Sequence, residues 1–479
     1  MRRGMAKMSS TKTSSRDRIK IISQIIIEIC IIGCLIGVWM FYYGKYAFQK
    51  HFIVGSLTTF FMYTIVYNYL GKMYKAFKIG AYQIGETILS QIISFGIADL
   101  IVYVECVLSS NWPLSLIPGI VTVGVQIVLT VIWAFASKRY YIDHVRPAKT
   151  LLIYGFEDRT EFLEKIQNKC AHLFDIQEEV HQEVPLKELF KKINEYETII
   201  LCSVYGSVRT DLMEYCIRMG KGLYLTPRIA DIIIEGCEKR HFIDTPLLKY
   251  EYNYNGFAMS VKKRIFDIAV SLFALIVFMP IIIITAIAIK IEDGGSIFFT
   301  QERCTKGGRV FKIIKFRSMI EDAEKNGALP CTSNDDRITK VGRFIRKVRV
   351  DEIPQLFNVL KGDMSFVGPR PERVEHVKQY AEELPEFNYR LRVKGGITGY
   401  AQIFGKYNTN PYDKLRLDLM YIENQSNLLD LKLIMLTIKT IFIPESTEGF
   451  EKEKSKVMAE ANSRYGKFRG EEMIGKSVV

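Results

Sequence analysis

Long apolar runs separated by basic turns fill the first third of the chain. Residues 21–42, 52–70, 84–107 and 113–136 are each near the ~20 apolar residues that a spanning helix needs, and they predict four transmembrane helices. From residue 149 the rhythm changes to short apolar strands, TLLIYGF, ETIILCSVYG and KGLYLTP, separated by polar stretches of helical character near residues 159–170 and 209–219. That alternation predicts a small parallel α/β domain over residues 149–254. A fifth apolar run, residues 265–291, contains Pro280; its ~27 residues would extend about 40 Å as one helix. Proline kinks a helix, and basic residues flank both ends, Lys262, Lys263 and Arg264 before the run and Lys290, Arg303, Lys306 and Arg309 after it. A helix that breaks at Pro280 and returns to the face it left accounts for both features, and a kinked spanning helix is the other arrangement the residues allow, since proline is tolerated in both.

Composition sharpens this layout. With 479 residues, 48% hydrophobic, and 65 Lys+Arg against 52 Asp+Glu, the chain exceeds one compact soluble domain. Basic residues crowd the first 20 positions (Arg2, Arg3, Lys7, Lys12, Arg16, Arg18, Lys20), the second loop (Lys72, Lys75, Lys78) and the stretch after the fourth run (Lys138, Arg139, Arg146, Lys149). The positive-inside rule therefore puts both ends of the four-helix region in the cytoplasm, with Lys45 and Lys50 running against the pattern. A cleavable signal peptide is not expected, because the first run is long and lacks a small-residue cleavage site. Nine scattered cysteines without a CxxC pair point neither to disulfides nor to zinc. In the middle domain the first strand leads into Gly155-Phe156-Glu157-Asp158 rather than GxGxxG, so a regulatory or dimerising module is expected there rather than a dinucleotide site.

Chemistry gathers further along. SIFFTQERCTKGGRVFKIIKFRSM alternates as a β-hairpin around Lys306-Gly307-Gly308 and delivers Lys315, Arg317 and Ser318. Arg343, Arg346 and Arg349 recur every three residues, along one side of a helix. Such a stripe is also what a solvated face or an anionic-lipid contact presents. Next come Asp351 and Glu352. Pro354 suits the first turn of a helix, residues 355–361 its body with Leu356, Phe357 and Leu360 as the apolar face, and Gly362 its end. Both carboxylates would then lie at a helix N-terminus, whose dipole favours their ionised forms. An ionised Asp is a competent nucleophile toward phosphorus, and two hard oxygen donors suit Mg²⁺ shared with substrate phosphates. Lys315, Arg346 and Arg370 are the candidate phosphate-binding cations, with Arg370 fixed between Pro369 and Pro371.

These blocks, KRIFDIAVSLFALIVFMP at 263–280, KFRSM at 315–319, RVDEIPQLFNVLKGDMSFVGPRPE at 349–372 and GITGYAQI at 396–403, resemble the bacterial sugar transferases, the monotopic phosphoglycosyl transferases. The resemblance covers about residues 261–442. The preceding helices and α/β domain resemble the extended subgroup that includes undecaprenyl-phosphate glucose and galactose phosphotransferases, whose middle domain is Rossmann-like. The resemblance implies transfer of a sugar-1-phosphate from a UDP-sugar to a polyprenyl phosphate, with release of UMP. Asp351 would be the covalent nucleophile, Glu352 a Mg²⁺ ligand or positioning group, and Lys315, Arg346 and Arg370 the phosphate-binding residues, with Arg317, Arg343 and Pro369 as further candidates. Pro280 would mark the break of a re-entrant helix that keeps the catalytic domain at the cytoplasmic face of a bacterial inner membrane.

The expected architecture is a basic N-terminus (1–20), four transmembrane helices (21–137), a Rossmann-like α/β domain (149–254), an α+β catalytic domain (261–444) with its re-entrant helix (265–291), and a charged tail (445–479). Expected partners are a UDP-sugar, undecaprenyl phosphate and the bilayer; no nucleic acid is expected, and a homodimer stays open. Residues 428–443 read either as an interfacial helix or as a buried packing helix. Gln425 stands where the resemblance leads one to expect Trp. The donor sugar is not legible, its contacts being expected in residues 326–336 and 406–413. A non-catalytic membrane scaffold regulating polysaccharide assembly is the alternative from another class, and a five-span transporter is a second.

Overall fold

A computed structural model of the chain describes residues 2–47, 52–80, 83–110, 114–155, 162–164, 166, 173–251, 257–320, 335, 337–405 and 409–441. Of the expected helix at 159–170 only residues 162–164 and 166 are described, and they are helical, with Leu163 and Ile166 buried; the segment 326–336 apart from Asp335, residues 406–408 and the charged tail lie outside the described residues. Two compact units divide the chain, Met1–Thr226 and Pro227–Val479.

In the first unit, helices α1 (Arg2–Phe41), α2 (Phe52–Met73), α3 (Ile84–Ser110) and α4 (Ile117–His144) pack together. Their packing is inside-out relative to a soluble bundle. Ile21, Ile25, Ile53, Leu100 and Ile120 point outward, while Thr59, Gln91, Ser94, Gln126 and Thr130 are buried. The inward polar groups bond across helices, as Tyr67 Oη to Gln91 Oε1 at 2.7 Å and Trp39 Nε1 to Ser56 Oγ at 2.8 Å. Lipid supplies no apolar drive between helices, so polar contacts and close packing hold such a bundle. Each of the four, like a fifth at Met259–Asp293, is long and apolar enough to cross a membrane.

The same unit ends in a parallel sheet of order β2-β1-β3-β4, formed by β1 (Ala148–Tyr154), β2 (Phe174–His181), β3 (Thr198–Cys202) and β4 (Gly222–Leu225). Leu151, Ile153, Ile199 and Leu201 fill one face, against α5 (Leu186–Glu195) and α6 (Gly206–Arg218). Sequence reading missed β2 and α5. FDIQEEVH is an edge strand with polar side chains on both faces, and its apolar periodicity is too weak to register.

The α/β domain was expected to run to residue 254, whereas the boundary between units falls at Thr226. Helix α7 (Ile229–Glu235) and the hairpin of β5 (Glu238–Phe242) with β6 (Thr245–Lys249) therefore belong to the second unit, in which a Cβ on Gly236 would lie 2.6 Å from Glu423 Cβ. Helix α8 (Phe257–Asp293) then carries Pro280 within a run of six exposed residues, 276–281. Both of its ends are fastened to this unit. Near the start, Asp267 Oδ1 accepts from Ser365 Oγ at 3.0 Å, from the Phe366 amide at 3.1 Å and from Lys263 Nζ at 3.1 Å. Lys263 also pairs with buried Asp430 at 2.7 Å. Arg264 donates to the carbonyls of Val359 at 2.5 Å and Leu360 at 2.6 Å, covering the negative end of a short helix. At the far end, Glu292 Oε1 accepts from the Lys340 amide at 2.7 Å, and Asp293 pairs with Arg317.

The hairpin of β7 (Phe298–Cys304) and β8 (Val310–Phe316) turns through Lys306–Gly308, where Gly307 and Gly308 have φ of 69° and 75°. Beyond it, α9 (Lys340–Lys347), a 3₁₀ turn (Val350–Glu352) and α10 (Gln355–Lys361) lead to the parallel pair β9 (Ser365–Val367) and β10 (Gly396–Thr398). Helices α11 (Val374–Glu383), α12 (Tyr400–Phe404), α13 (Pro411–Glu423) and α14 (Asn427–Ile441) complete the unit. On α14 Leu433 and Leu436 are buried while Leu428, Leu431 and Ile438 are exposed, so one helix serves packing and presents an outer apolar face. Gln425 donates to Tyr421 Oη at 3.0 Å.

Asp267→Ala removes the acceptor shared by Lys263, Ser365 and the Phe366 amide. It is expected to cost roughly 2–4 kcal/mol, seen as a lower thermal midpoint of the detergent-purified chain. An unchanged midpoint would refute the anchoring role.

Candidate active site

Three separate elements converge on Glu352. Lys315, near the end of β8, places Nζ 2.9 Å from Glu352 Oε1, and Arg370 places Nη2 2.6 Å from the same oxygen and Nη1 3.4 Å from Oε2. Asp351 lies beside it in the same turn, with Arg346 from α9 among the cations acting on it.

Local chemistry explains how each group reaches this point. Asn358, buried on α10, acts as a strand backbone toward β8: its Oδ1 accepts from the Ile314 amide at 2.9 Å and its Nδ2 donates to the Lys312 carbonyl at 2.8 Å. The next residue on the strand is Lys315. Pro354 and Gly362, which has φ 96°, bracket α10 as its sequence predicts. Its inner face is Leu356, Asn358 and Val359, however, and Phe357 is 42% exposed. The Pro369-Arg370-Pro371 segment is fixed by backbone: the Gly396 amide donates to the Pro369 carbonyl at 2.9 Å, and the Cys304 amide to the Glu372 carbonyl at 3.0 Å. A Cβ on Gly396 would lie 2.1 Å from the Gly368 nitrogen, so this approach requires glycine.

Two expectations are corrected here. The carboxylates do not sit on a helix N-terminus but in a 3₁₀ turn ahead of it. Nor do Arg343, Arg346 and Arg349 share a helix. Helix α9 starts at a Thr339 cap, whose Oγ1 accepts from Gly342 at 2.9 Å, and ends at Lys347. Arg349 takes the left-handed conformation, φ 56° and ψ 22°, that closes helices and is usually given to glycine. For an arginine this costs roughly 1 kcal/mol or more. Of the other candidates, Arg343 is exposed, Pro369 is buried behind Arg370, and Arg317 turns away to pair with Asp293.

Electrostatics divide the two carboxylates. Burial would raise Glu352, yet Arg370 and Lys315 outweigh it and hold the carboxyl well below its usual range. Asp351 goes the other way: burial, reinforced by the charge on Glu352, pushes it up to about 6 against the pull of Lys315, Arg346 and Arg370. Among the described residues no third His, Cys, Asp or Glu joins the pair to make a protein-only metal cage. A hard divalent ion that takes most of its oxygens from substrate phosphates fits the donors present.

Behind Arg370 lies a network that sequence reading did not find. Arg390, 3% exposed, donates from Nη2 to the Arg370 carbonyl at 2.9 Å and from Nε to Asp418 at 3.0 Å, with Glu372 3.5 Å from its Nη1. Glu372 also pairs with Lys414. Burial alone would raise Glu372, but Lys414 and Arg390 hold it far below the carboxylate range. Arg303 lies close by, donating to the Pro371 carbonyl at 3.3 Å and to Gln301 at 2.6 Å; burial and the adjacent Arg370 lower it to about 10. The only local signal was the four-residue spacing of Lys414 and Asp418.

The sequence model of the family described as Bacterial sugar transferase matches residues 258–444, which hold this whole site. An uncharacterized sugar transferase of Bacillus subtilis is 39% identical over 188 residues, covering 39% of this chain and 91% of that protein. The chain belongs to the bacterial sugar transferase family. A UDP-N-acetylgalactosamine-undecaprenyl-phosphate N-acetylgalactosaminephosphotransferase of Aeromonas hydrophila is 45% identical over 182 residues, covering 37% of this chain and 43% of the relative. A UDP-glucose:undecaprenyl-phosphate glucose-1-phosphate transferase of Klebsiella pneumoniae is 42% identical over 218 residues, covering 44% of this chain and 45% of the relative. The match thus spans less than half the length of these two relatives.

Arg390→Ala in this sugar transferase unit would strand Asp418 without its buried partner and leave the Arg370 carbonyl without a donor. A loss of about 3–5 kcal/mol is expected, measured by chemical denaturation in detergent; a loss below about 1 kcal/mol would show that the network is not a support.

Proposed function

We propose that this chain transfers a hexose-1-phosphate from a UDP-sugar to undecaprenyl phosphate, releasing UMP and starting a polysaccharide repeat unit at the cytoplasmic face of a bacterial inner membrane. The observation that carries this reading is the half-buried Asp351–Glu352 pair, unequal in charge and ringed by Lys315, Arg346 and Arg370. The activities for which the Aeromonas and Klebsiella relatives are named support the reaction class.

In this reading Asp351 attacks the sugar-bearing phosphorus of the donor. The bond from that phosphorus to the bridging oxygen breaks, UMP leaves, and a phosphosugar ester remains on the carboxylate. An oxygen of the lipid phosphate then attacks the same phosphorus and frees Asp351. Lys315, Arg346 and Arg370 offset the charge on the phosphoryl oxygens in both steps. Glu352, already held by Lys315 and Arg370, serves chiefly to aim those cations. A bound Mg²⁺ would be held by Asp351 and the donor's phosphates, with Glu352 less available than the sequence implied, and would neutralise diphosphate charge.

The re-entrant reading of α8 draws support from its attachments. A straight helix would separate Arg264 from Glu292 by about 42 Å, enough to put its ends on opposite sides of a bilayer, yet both ends bond to the same unit. A bend in the exposed stretch around Pro280 reconciles length with attachment.

Membranes containing the full chain, with Mg²⁺, undecaprenyl phosphate and UDP-glucose, UDP-galactose or UDP-N-acetylgalactosamine in turn, are expected to release UMP with one of them. Asp351→Asn is expected to reduce that release by at least about a thousandfold. No release with any donor from folded protein would overturn the reading. Because only ionised Asp351 attacks, the rate should fall as pH drops through about 6, approaching tenfold per pH unit. A rate flat from pH 7 to pH 5 would exclude Asp351 as the attacking group.

A further inference from the structure

Beside the start of helix α8 lies a cation, Lys394, that neither the anchoring contacts nor the proposed reaction uses. Gly362 closes α10 at φ 96°. A Cβ added there would have as its three nearest neighbours Arg264 Nη2 at 3.5 Å, Arg264 Cζ at 3.7 Å and Lys394 Nζ at 3.8 Å. Two cationic groups thus line the space that the side chain of any other residue would enter, and Gly362 is half-exposed, so that space opens to the surroundings. A phosphorus atom near that point would hold its oxygens about 2.8 Å from both nitrogens, the length of a charge-assisted hydrogen bond.

Arg264 already covers the Val359 and Leu360 carbonyls, whereas Lys394 has no hydrogen bond or ion pair among the described residues. The carboxylates nearby are taken by other groups. Asp363, next to Gly362, pairs with Arg309 at 3.0 Å and Lys361 at 3.4 Å, and Asp267 holds Lys263, Ser365 and the Phe366 amide. Lys394 is half-buried; its burial, with Arg264 adding to the effect, lowers its pKa against the pull of Asp267 and Asp363. An anion between Arg264 and Lys394 would offset that repulsion and give the ammonium an acceptor.

The surroundings indicate which anion. Arg264 is followed directly by Ile265, 63% exposed, and Leu272, Phe273 and Ile276 are exposed further along α8, a helix long and apolar enough to cross a membrane. On α10, Phe357 faces outward one turn before exposed Lys361. A surface that passes from apolar to basic within one turn suits the boundary between acyl chains and headgroups. We propose that Arg264 and Lys394, on either side of Gly362, bind the headgroup phosphate of an anionic membrane phospholipid. This site lies at the opposite end of α10 from the Asp351–Glu352 turn, and it depends on α8 meeting a bilayer rather than on the proposed reaction. A choline headgroup, which carries its own cation beside the phosphate, is the poorer ligand.

The test titrates the full chain, in an uncharged detergent, with dioctanoyl phosphatidylglycerol, dioctanoyl phosphatidylcholine or inorganic phosphate, and follows the rise in thermal midpoint that binding to the folded state produces. Wild type should respond to phosphatidylglycerol at lower concentration than to phosphatidylcholine. Lys394→Gln should keep the lipid-free midpoint and need about fivefold more phosphatidylglycerol for the same rise; Lys394→Arg should behave as wild type. Lys394→Met, of similar length, repeats the measurement if Lys394→Gln does not fold. Equal responses of wild type to the two lipids would overturn the inference, as would a wild-type response of Lys394→Gln to phosphatidylglycerol. A lowered lipid-free midpoint with an unchanged lipid response would overturn it in favour of a structural role for Lys394. Inorganic phosphate matching phosphatidylglycerol at equal concentration would overturn it in favour of a site for free anions.

Discussion

The site is arranged around one largely enclosed charge, the carboxylate of Glu352. Ionised and mostly screened from water, it is stabilised by Lys315 and Arg370, which meet it directly. Those two cations come from a hairpin strand and from a proline-flanked loop that are 55 residues apart in sequence, so satisfying one carboxylate fixes three elements at a point. The position of its neighbour follows. Asp351 inherits a raised pKa from the same burial and from the charge next door, so two adjacent carboxylates differ in ionisation.

The supporting layers repeat the same solution. Arg390 ties the Arg370 carbonyl to Asp418 and lies within reach of Glu372, while Lys414 completes the pairing of Glu372. Lys263, Asp267 and Asp430 do the equivalent at the base of the long apolar helix, joining it to β9 and α14. Each is a buried ion pair with further hydrogen bonds, an arrangement that contributes less to net stability than to holding one geometry, since a mispaired alternative would leave a charge without a partner. In the proposed reaction, which brings a diphosphate and then a lipid phosphate to the site, a fixed set of cations would limit the reorganisation needed at each step.

Much of this was legible in residue order. Apolar runs of spanning length gave α1 to α4 and α8; the alternation around Gly307-Gly308 gave the hairpin; Pro354 and Gly362 gave the limits of α10. Lys315, Arg346, Asp351, Glu352 and Arg370 stand within the motif blocks of the sequence, and the fold brings them to one place. The polar edge strand β2 escaped because neither of its faces is consistently apolar, and Arg349 was misplaced on a helix because three-residue spacing says nothing about where the helix stops.

Taken alone, the sequence determined local matters: which segments are apolar enough for lipid, where helices and turns begin, and which charged groups lie near one another along the chain. These depend on short-range periodicity and on backbone restrictions of proline and glycine. Only tertiary structure decided which charges meet. Lys315 binds Glu352 whereas Arg317, two residues later, turns to Asp293; Arg390 is buried under Arg370, while Arg343 stays in solvent. The division of ionisation between Asp351 and Glu352 was decided there as well, because Coulomb interactions and desolvation depend on separation in space and on access to water, and neither is written in the order of residues.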